Sequence, residues 1–238
     1  MSVHEERMLA CPHCGHEEAR AVAVSVDGAR AAQQHQAILD DTFQRFSCAA
    51  CGREFRADGP LIYLDFDAKL WIGVFPAPWE AAWWEHEAAP QGAFDRYMIE
   101  NCPPLVREWA PGFAVRAVFG LPRLREKLVA HAAGIDDRVL EAYKLDLLRG
   151  MGPYELSPRA RPTLRAATAQ DAVFLVPRPE PGEPGKLAQV RVARAELDRI
   201  AAAQDGAWAQ TIAALAEGPY VDLGRLFAPR PSGSEATP

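Results

Sequence analysis

The residues best suited to chemistry are four cysteines in two pairs, Cys11-Pro12-His13-Cys14 and Cys48-Ala49-Ala50-Cys51. Each pair encloses two residues and is followed at once by glycine, Gly15 or Gly52. Zinc takes four ligands in a tetrahedron, and thiolates suit it. Two cysteines at this spacing reach one ion if the backbone turns tightly, and the trailing glycine allows the positive φ of such a turn. Backbone N–H groups in the turn then point at the sulfurs and stabilise their charge. Residues 15–47 separate the pairs, a longer gap than the about 15–20 residues of the usual ribbon. A strand–helix–strand excursion fits in it. Metal ligands are therefore expected at Cys11, Cys14, Cys48 and Cys51. A four-thiolate site is closed, so a structural Zn2+ is expected rather than a catalytic one.

Other chemistry fits less well. Cys-Pro-His-Cys also spells the active site of some thioredoxin-like oxidases. That chemistry needs its first cysteine at a helix N-terminus after a strand. Only ten residues precede Cys11, and Gly15-His16-Glu17-Glu18 opens no apolar-periodic helix. His13 and His16 read as solvent-facing, since four cysteines already fill a site. Cys102 precedes two prolines and has no partner in the pattern. Asp65 and Asp67 read as turn residues, and Asp136 or Asp137 as a helix start. Trp79, Trp83 and Trp84 read as core packed on a neighbouring hairpin, with a partner surface as the second reading. There is no glycine-rich phosphate loop, nucleophile elbow or His-Glu-x-x-His helix, so no catalytic or cofactor-binding residue is assigned and the chain leans away from being an enzyme.

These residues need elements to hold them. Residues 1–10 look like a flexible lead. Strands are expected over 19–26, 42–47, 60–66 and 70–75, the last two as a hairpin, with a helix over 29–39. A helical stretch over 94–109 is broken at Pro103-Pro104, and 113–119 alternates as a strand. A helix pair follows. Its first face is Leu124, Leu128, Val129 and Ala132, and its second is Val139, Leu140, Tyr143 and Leu147. Residues 153–162 look like a linker and 177–185 like a loop. Strands are expected over 163–169, 173–176, 187–192 and 220–222, with helices over 193–203 and 208–216. The reading is α+β: a zinc-ribbon-like N-terminal lobe with a helical insertion, a β-hairpin and helical pair, then a smaller C-terminal α+β segment. The boundaries drawn are 8–152, 163–227 and a disordered tail over 228–238.

The cysteine pairs do not stand alone. Pro60-Leu61-Ile62-Tyr63, Arg116-Ala117-Val118-Phe119-Gly120, Leu124-Arg125-Glu126-Lys127 and Gly134-Ile135-Asp136-Asp137-Arg138 accompany them. Together they resemble the CpXC domain proteins, bacterial and archaeal proteins named for two Cys-Pro-x-Cys motifs. The resemblance covers residues 8–150. The second motif departs from the name at Ala49, where proline is usual, although metal chemistry needs only the thiolates. The resemblance implies the metal-binding module and assigns no activity.

Composition narrows the function classes. The net charge is −6, and residues 1–70 hold seven Lys/Arg against eleven Asp/Glu, which disfavours nucleic acid. No stretch reaches the about 20 apolar residues of a membrane span, and the N-terminus has no apolar signal core. A cytoplasmic location is expected, where paired cysteines more often hold metal than form disulfides. Scarce Lys beside abundant Ala, Arg and Pro suggests a bacterial source. The leading expectation is a non-enzymatic protein whose structural zinc supports a surface for another protein. The alternative is an enzyme or small-ligand binder with a pocket between lobes and zinc as scaffold. A nucleic-acid-binding zinc ribbon comes third.

Overall fold

The computed structural model describes residues 2–150, 161–177, 187–203, 207–228 and 230. The linker expected over 153–162 lies outside them except at Arg161 and Pro162, as does the loop after Pro177. Of the tail expected from 228, only Ala228 and Arg230 are described. The architecture is α+β. Two compact units form, Met1–Glu80 with Ala88–Leu124 and Ala81–Glu87 with Arg125–Pro238.

In the first unit, β1 (Val3–Ala10) pairs antiparallel with β2 (Glu17–Asp27). Asp27 ends β2, and its Oδ1 accepts the Arg30 N–H at 3.2 Å, turning the chain into α1 (Ala32–Leu39). The short strands β3 (Arg45–Ser47) and β4 (Glu54–Arg56) form a separate hairpin. The chain then returns to the main sheet as β5 (Leu61–Asp65), parallel to β2, and turns into β6 (Leu70–Phe75). After α2 (Ala89–Asp95), a π turn over Arg96–Glu100 and α3 (Pro104–Arg107), β7 (Ala114–Phe119) runs parallel to β6. The sheet order is β1-β2-β5-β6-β7.

β6 is buried from Leu70 to Val74, as befits a strand near the centre of a covered sheet. Pro90 of α2 sits on Gly73, where a Cβ would lie 2.4 Å from Pro90 Cγ. Beside it Trp71, Phe94, Met98 and Val115 form a core. Pro104 opens α3 at its first turn, where a missing N–H costs nothing.

The flexible lead expected over residues 1–10 is instead the edge strand β1. Its burial pattern is almost entirely exposed, so it pairs through its backbone and carries no apolar alternation for the sequence to show. The three-residue strand β4 gave no signal either.

In the second unit, α4 (Leu121–Ala132, from Arg125 on) and α5 (Asp137–Gly150) form the expected pair. Strands β8 (Thr163–Ala167), β9 (Asp171–Pro177) and β10 (Leu187–Ala193) make an antiparallel sheet ordered β10-β9-β8. Helices α6 (Arg194–Ala202), α7 (Ala207–Leu215) and α8 (Gly224–Phe227) complete it. Leu140, Tyr143 and Leu148 of α5 share a core with Leu164, Phe174, Leu197, Ile200 and Leu215. Arg194 donates to the Ala133 and Gly134 carbonyls at 2.8 and 2.9 Å, satisfying backbone groups at the end of α4.

One expectation changes in this unit. Residues 220–222 are not a strand. The Val221 carbonyl bonds a buried side chain instead of a neighbouring strand, accepting from Lys127 Nζ at 2.5 Å. Trp83 packs on Tyr220 at 5.3 Å between ring centroids. Its indole N–H donates to Ala228 O at 2.6 Å, and the Arg225 guanidinium lies 4.2 Å over its ring. Arg225 also pairs with Glu87. Trp79 does stack on Phe75 of the hairpin and remains 41% exposed.

Candidate metal centre

Each cysteine pair forms the turn of a hairpin, and the two turns share one hydrogen-bond pattern. In the first, Ala10 pairs with Glu17, Cys11 N–H donates to His16 O at 2.8 Å, and Gly15 N–H donates to Cys11 O at 2.8 Å. In the second, Ser47 pairs with Glu54, Cys48 N–H donates to Arg53 O at 3.0 Å, and Gly52 N–H donates to Cys48 O at 2.9 Å. Gly15 and Gly52 hold φ of +75° and +70°, where a side chain costs about 1–2 kcal/mol.

The two turns bring all four sulfurs within 4.8 Å of one another. Cys11 and Cys51 are 3.8 Å apart, and Cys14 and Cys48 are 3.6 Å apart. Both contacts cross from one turn to the other, so the cluster joins them. Cys11 and Cys48 are buried with Phe55, and Leu9 and Phe46 pack beside them; Cys14 and Cys51 face out. Four cysteines placed this way can hold a metal ion.

The electrostatics point the same way. The backbone N–H of His16 draws the Cys14 thiol down, but burial and the three neighbouring sulfurs push it up to about 12. The backbone N–H of Cys51 leads in pulling Cys48 down to about 6 against the effect of burial, helped by Ala50 N–H, Cys14 and Cys11. One sulfur thus gives up its proton easily while a neighbour keeps it. A cation bound among the four sulfurs would relieve that opposition and release the protons.

The second hairpin has its own brace. Asp41 Oδ2 accepts from Arg45 at 2.6 Å and Oδ1 from Arg56 at 2.9 Å. Burial pushes the Asp41 carboxyl up, but hydrogen bonds from Arg56 and Arg45 outweigh it and hold it below 3.8. Arg20 of β2 donates to Ser47 O at 3.0 Å, tying the first hairpin to the second.

The remaining candidates lie elsewhere. His13 is exposed, with Nε2 at 3.2 Å from Glu54 O, and His16 contributes its backbone. Cys102 is half-buried and outside the cluster. Asp65 Oδ1 accepts the Ala68 N–H at 2.9 Å, a turn role. Burial and the Asp65 charge push the Tyr63 hydroxyl up. Asp136 Oδ1 accepts the Arg138 N–H at 2.9 Å ahead of α5, a capping role.

A buried ionic network in the second unit escaped the sequence reading. Lys144 Nζ bridges Glu126 at 3.1 Å and Glu141 at 2.8 Å, and Lys127 Nζ lies 3.1 Å from Asp137 and 3.6 Å from Glu141. Arg161 pairs with Asp222. Glu126 Oε1 accepts the Leu164 N–H at 2.6 Å, and Glu141 Oε2 that of Leu223 at 3.0 Å. Glu126, Glu141 and Asp222 have the proximity of a cation site, but the lysines and Arg161 already supply their counter-charges. Burial pushes Glu141 up although Lys144 draws it down. Burial pulls Lys127 down, yet Asp137 and Glu141 outweigh it and hold it above 10.5. In the sequence these residues look like ordinary i, i+3 surface charges; only the burial of α5 on nearly every side betrays them.

Two cysteine hairpins closing on one point define a paired-knuckle module carried by a five-stranded sheet. The family model described as CpXC protein matches residues 9–144, more than half of the 238 residues, and the chain belongs to that family. The match spans both cysteine pairs and most of the helix pair. Comparison with curated proteins and with solved structures gave no match. No helix among the described residues is long and apolar enough to cross a membrane.

Proposed function

We propose that Cys11, Cys14, Cys48 and Cys51 hold one structural Zn2+, and that the lobe it braces is a non-enzymatic module that binds another protein. The sulfur geometry carries the metal reading. A tetrahedron with Zn–S near 2.3 Å has edges of about 3.8 Å, and the two cross-turn separations are 3.8 and 3.6 Å. Four thiolates leave no coordination position for substrate, which supports a scaffold role. Four thiolates also suit iron, so the test must separate the metals. Reconstitution with Co2+ should give the visible absorption of tetrahedral cobalt–thiolate, abolished by one equivalent of Zn2+. Protein purified with iron-type colour, or cobalt binding without that spectrum, would refute zinc in a tetrahedral thiolate site.

Exposed apolar side chains support the interaction reading. Tyr97, Leu105 and Trp109 are 62%, 60% and 48% exposed, and tyrosine and tryptophan are enriched among interface anchors. The acidic charge argues against nucleic acid. Crosslinked capture of one defined partner should be lost in Trp109→Ala. Capture that survives substitution of all three residues would remove this surface from the account.

A further inference from the structure

We infer that β1 is a homodimerisation edge, and that its partner is β1 of a second copy of this chain, running antiparallel. β1 is the terminal strand of the five-stranded sheet, and among the described residues no strand pairs with its outer edge. Six of its eight residues are exposed, Val3 at 51% and Met8 at 63%, and Arg7 and Leu9 are half-buried. Such an edge presents unpaired backbone N–H and C=O groups to any incoming strand.

The side chains select which strand can come. Alternation puts Val3, Glu5, Arg7 and Leu9 on one face. Read in order, that face is apolar, acidic, basic, apolar, which is complementary to itself when reversed. Two copies related by a two-fold axis normal to the sheet keep their faces matched only when the axis passes through a residue. With the axis at Glu6, each Glu5 lies opposite the second copy's Arg7, and each Val3 opposite the second copy's Leu9. Moving the axis to Glu5 sets Glu5 against itself and Val3 against Arg7. Moving it to Arg7 sets Arg7 against itself and Glu5 against Leu9. Opposite charges across strands stabilise pairing and like charges oppose it, and the register about Glu6 is the one that forms two Glu–Arg pairs and two apolar pairs on this face. On the other face Glu6 meets its counterpart at the axis, a single repulsion set against two Glu–Arg pairs.

Two observations make the face ready for pairing. Glu5 and Arg7 are already aligned within the strand, with Arg7 Nη2 2.8 Å from Glu5 Oε2. Leu9 packs against Cys11, Cys48 and Phe55, so the second copy's Val3 would extend an apolar cluster that is already formed. Charges on an edge strand ordinarily block pairing; here they favour the register centred on Glu6.

The test uses the full chain. Light scattering coupled to gel filtration should give, with rising concentration, a mass of twice 26.1 kDa. Glu5→Arg and Arg7→Glu should each weaken the dimer by about tenfold or more, because both cross-strand pairs become repulsions. An equimolar mixture of the two variants should recover it. Within each variant chain the two charges stay alike, so recovery reports pairing between chains only. On the wild-type chain, amide exchange along β1 should slow as concentration rises. A monomer at every concentration, a dimer indifferent to both substitutions, or a mixture that fails to recover would each overturn the proposal. None of these outcomes touches the metal reading, which depends on other residues.

Discussion

The cysteine cluster of the first unit and the ionic network of the second solve one problem in opposite ways. Both bring together groups that repel one another when ionised. In the network, four carboxylates (Glu126, Asp137, Glu141 and Asp222) meet three cations of the same chain, Lys127, Lys144 and Arg161. In the cluster, four sulfurs lie within 4.8 Å, and no basic side chain is bonded to them among the described residues. A buried charge needs a paired counter-charge. The network carries its own, whereas on the proposed reading the cluster takes one from solution. The second unit should therefore be indifferent to metal, and the first should depend on it.

The largest effect should come from breaking that dependence. Structural zinc contributes on the order of 10 kcal/mol to the folding of small modules. Cys48→Ser should abolish metal binding and open the β1–β2 and β3–β4 hairpins, read as lost amide protection over residues 9–56. Protection along α5 and β9 should persist. A chelator should do the same to the wild-type chain.

Breaking the network should give the next largest effect, confined to the other unit. Lys144→Met leaves Glu126 and Glu141 facing each other in the core, and removing one partner of a buried pair costs about 3–5 kcal/mol. Adding Glu141→Gln should recover part of that loss, and metal content should not change. Denaturant unfolding of the single and double variants checks both. The network also has an alkaline limit. Because Lys127 is held above 10.5 in the folded state, its contribution is complete below its unfolded pKa and is lost as pH rises through the folded one. A pH series above 10 should loosen α4 and α5 first.

Smaller effects grade the cysteine lobe. Gly52→Ala forces a side chain into φ +70° and should cost about 1–2 kcal/mol without changing metal stoichiometry. Arg56→Ala should cost about 1 kcal/mol or less, since Asp41 is partly exposed. Asp41 is held below 3.8, so its contribution is present above the unfolded pKa and disappears as pH falls through the folded one. The gap between this variant and wild type should close in acid.

The same contrast explains what the sequence made legible. The cysteine site was readable because its spacing repeats and its ligand type is rare. Two motifs of identical spacing with trailing glycines describe two turns, and the proposed metal needs both. The hairpin β5–β6, the strand β7 and the helix pair were readable from apolar periodicity. The network was not. Glu126, Lys127, Glu141 and Lys144 sit on amphipathic helices where charges normally face water. Their burial depends on Leu164, Val221 and Leu223, which arrive from distant parts of the chain. β1 was invisible for a related reason, since a strand exposed on both faces and held by backbone pairing leaves no apolar pattern. The contacts of Trp83 with Tyr220 and Arg225 left no local signal because both residues lie more than a hundred positions away.

The most direct test of a cluster that takes its cation from outside is metal analysis of the purified full-length chain beside a count of reactive thiols. The account predicts about one zinc per chain, with only Cys102 reacting until a chelator exposes four more thiols. Protein that carries no metal and offers all five thiols at once, while the hairpins keep their amide protection, would contradict it.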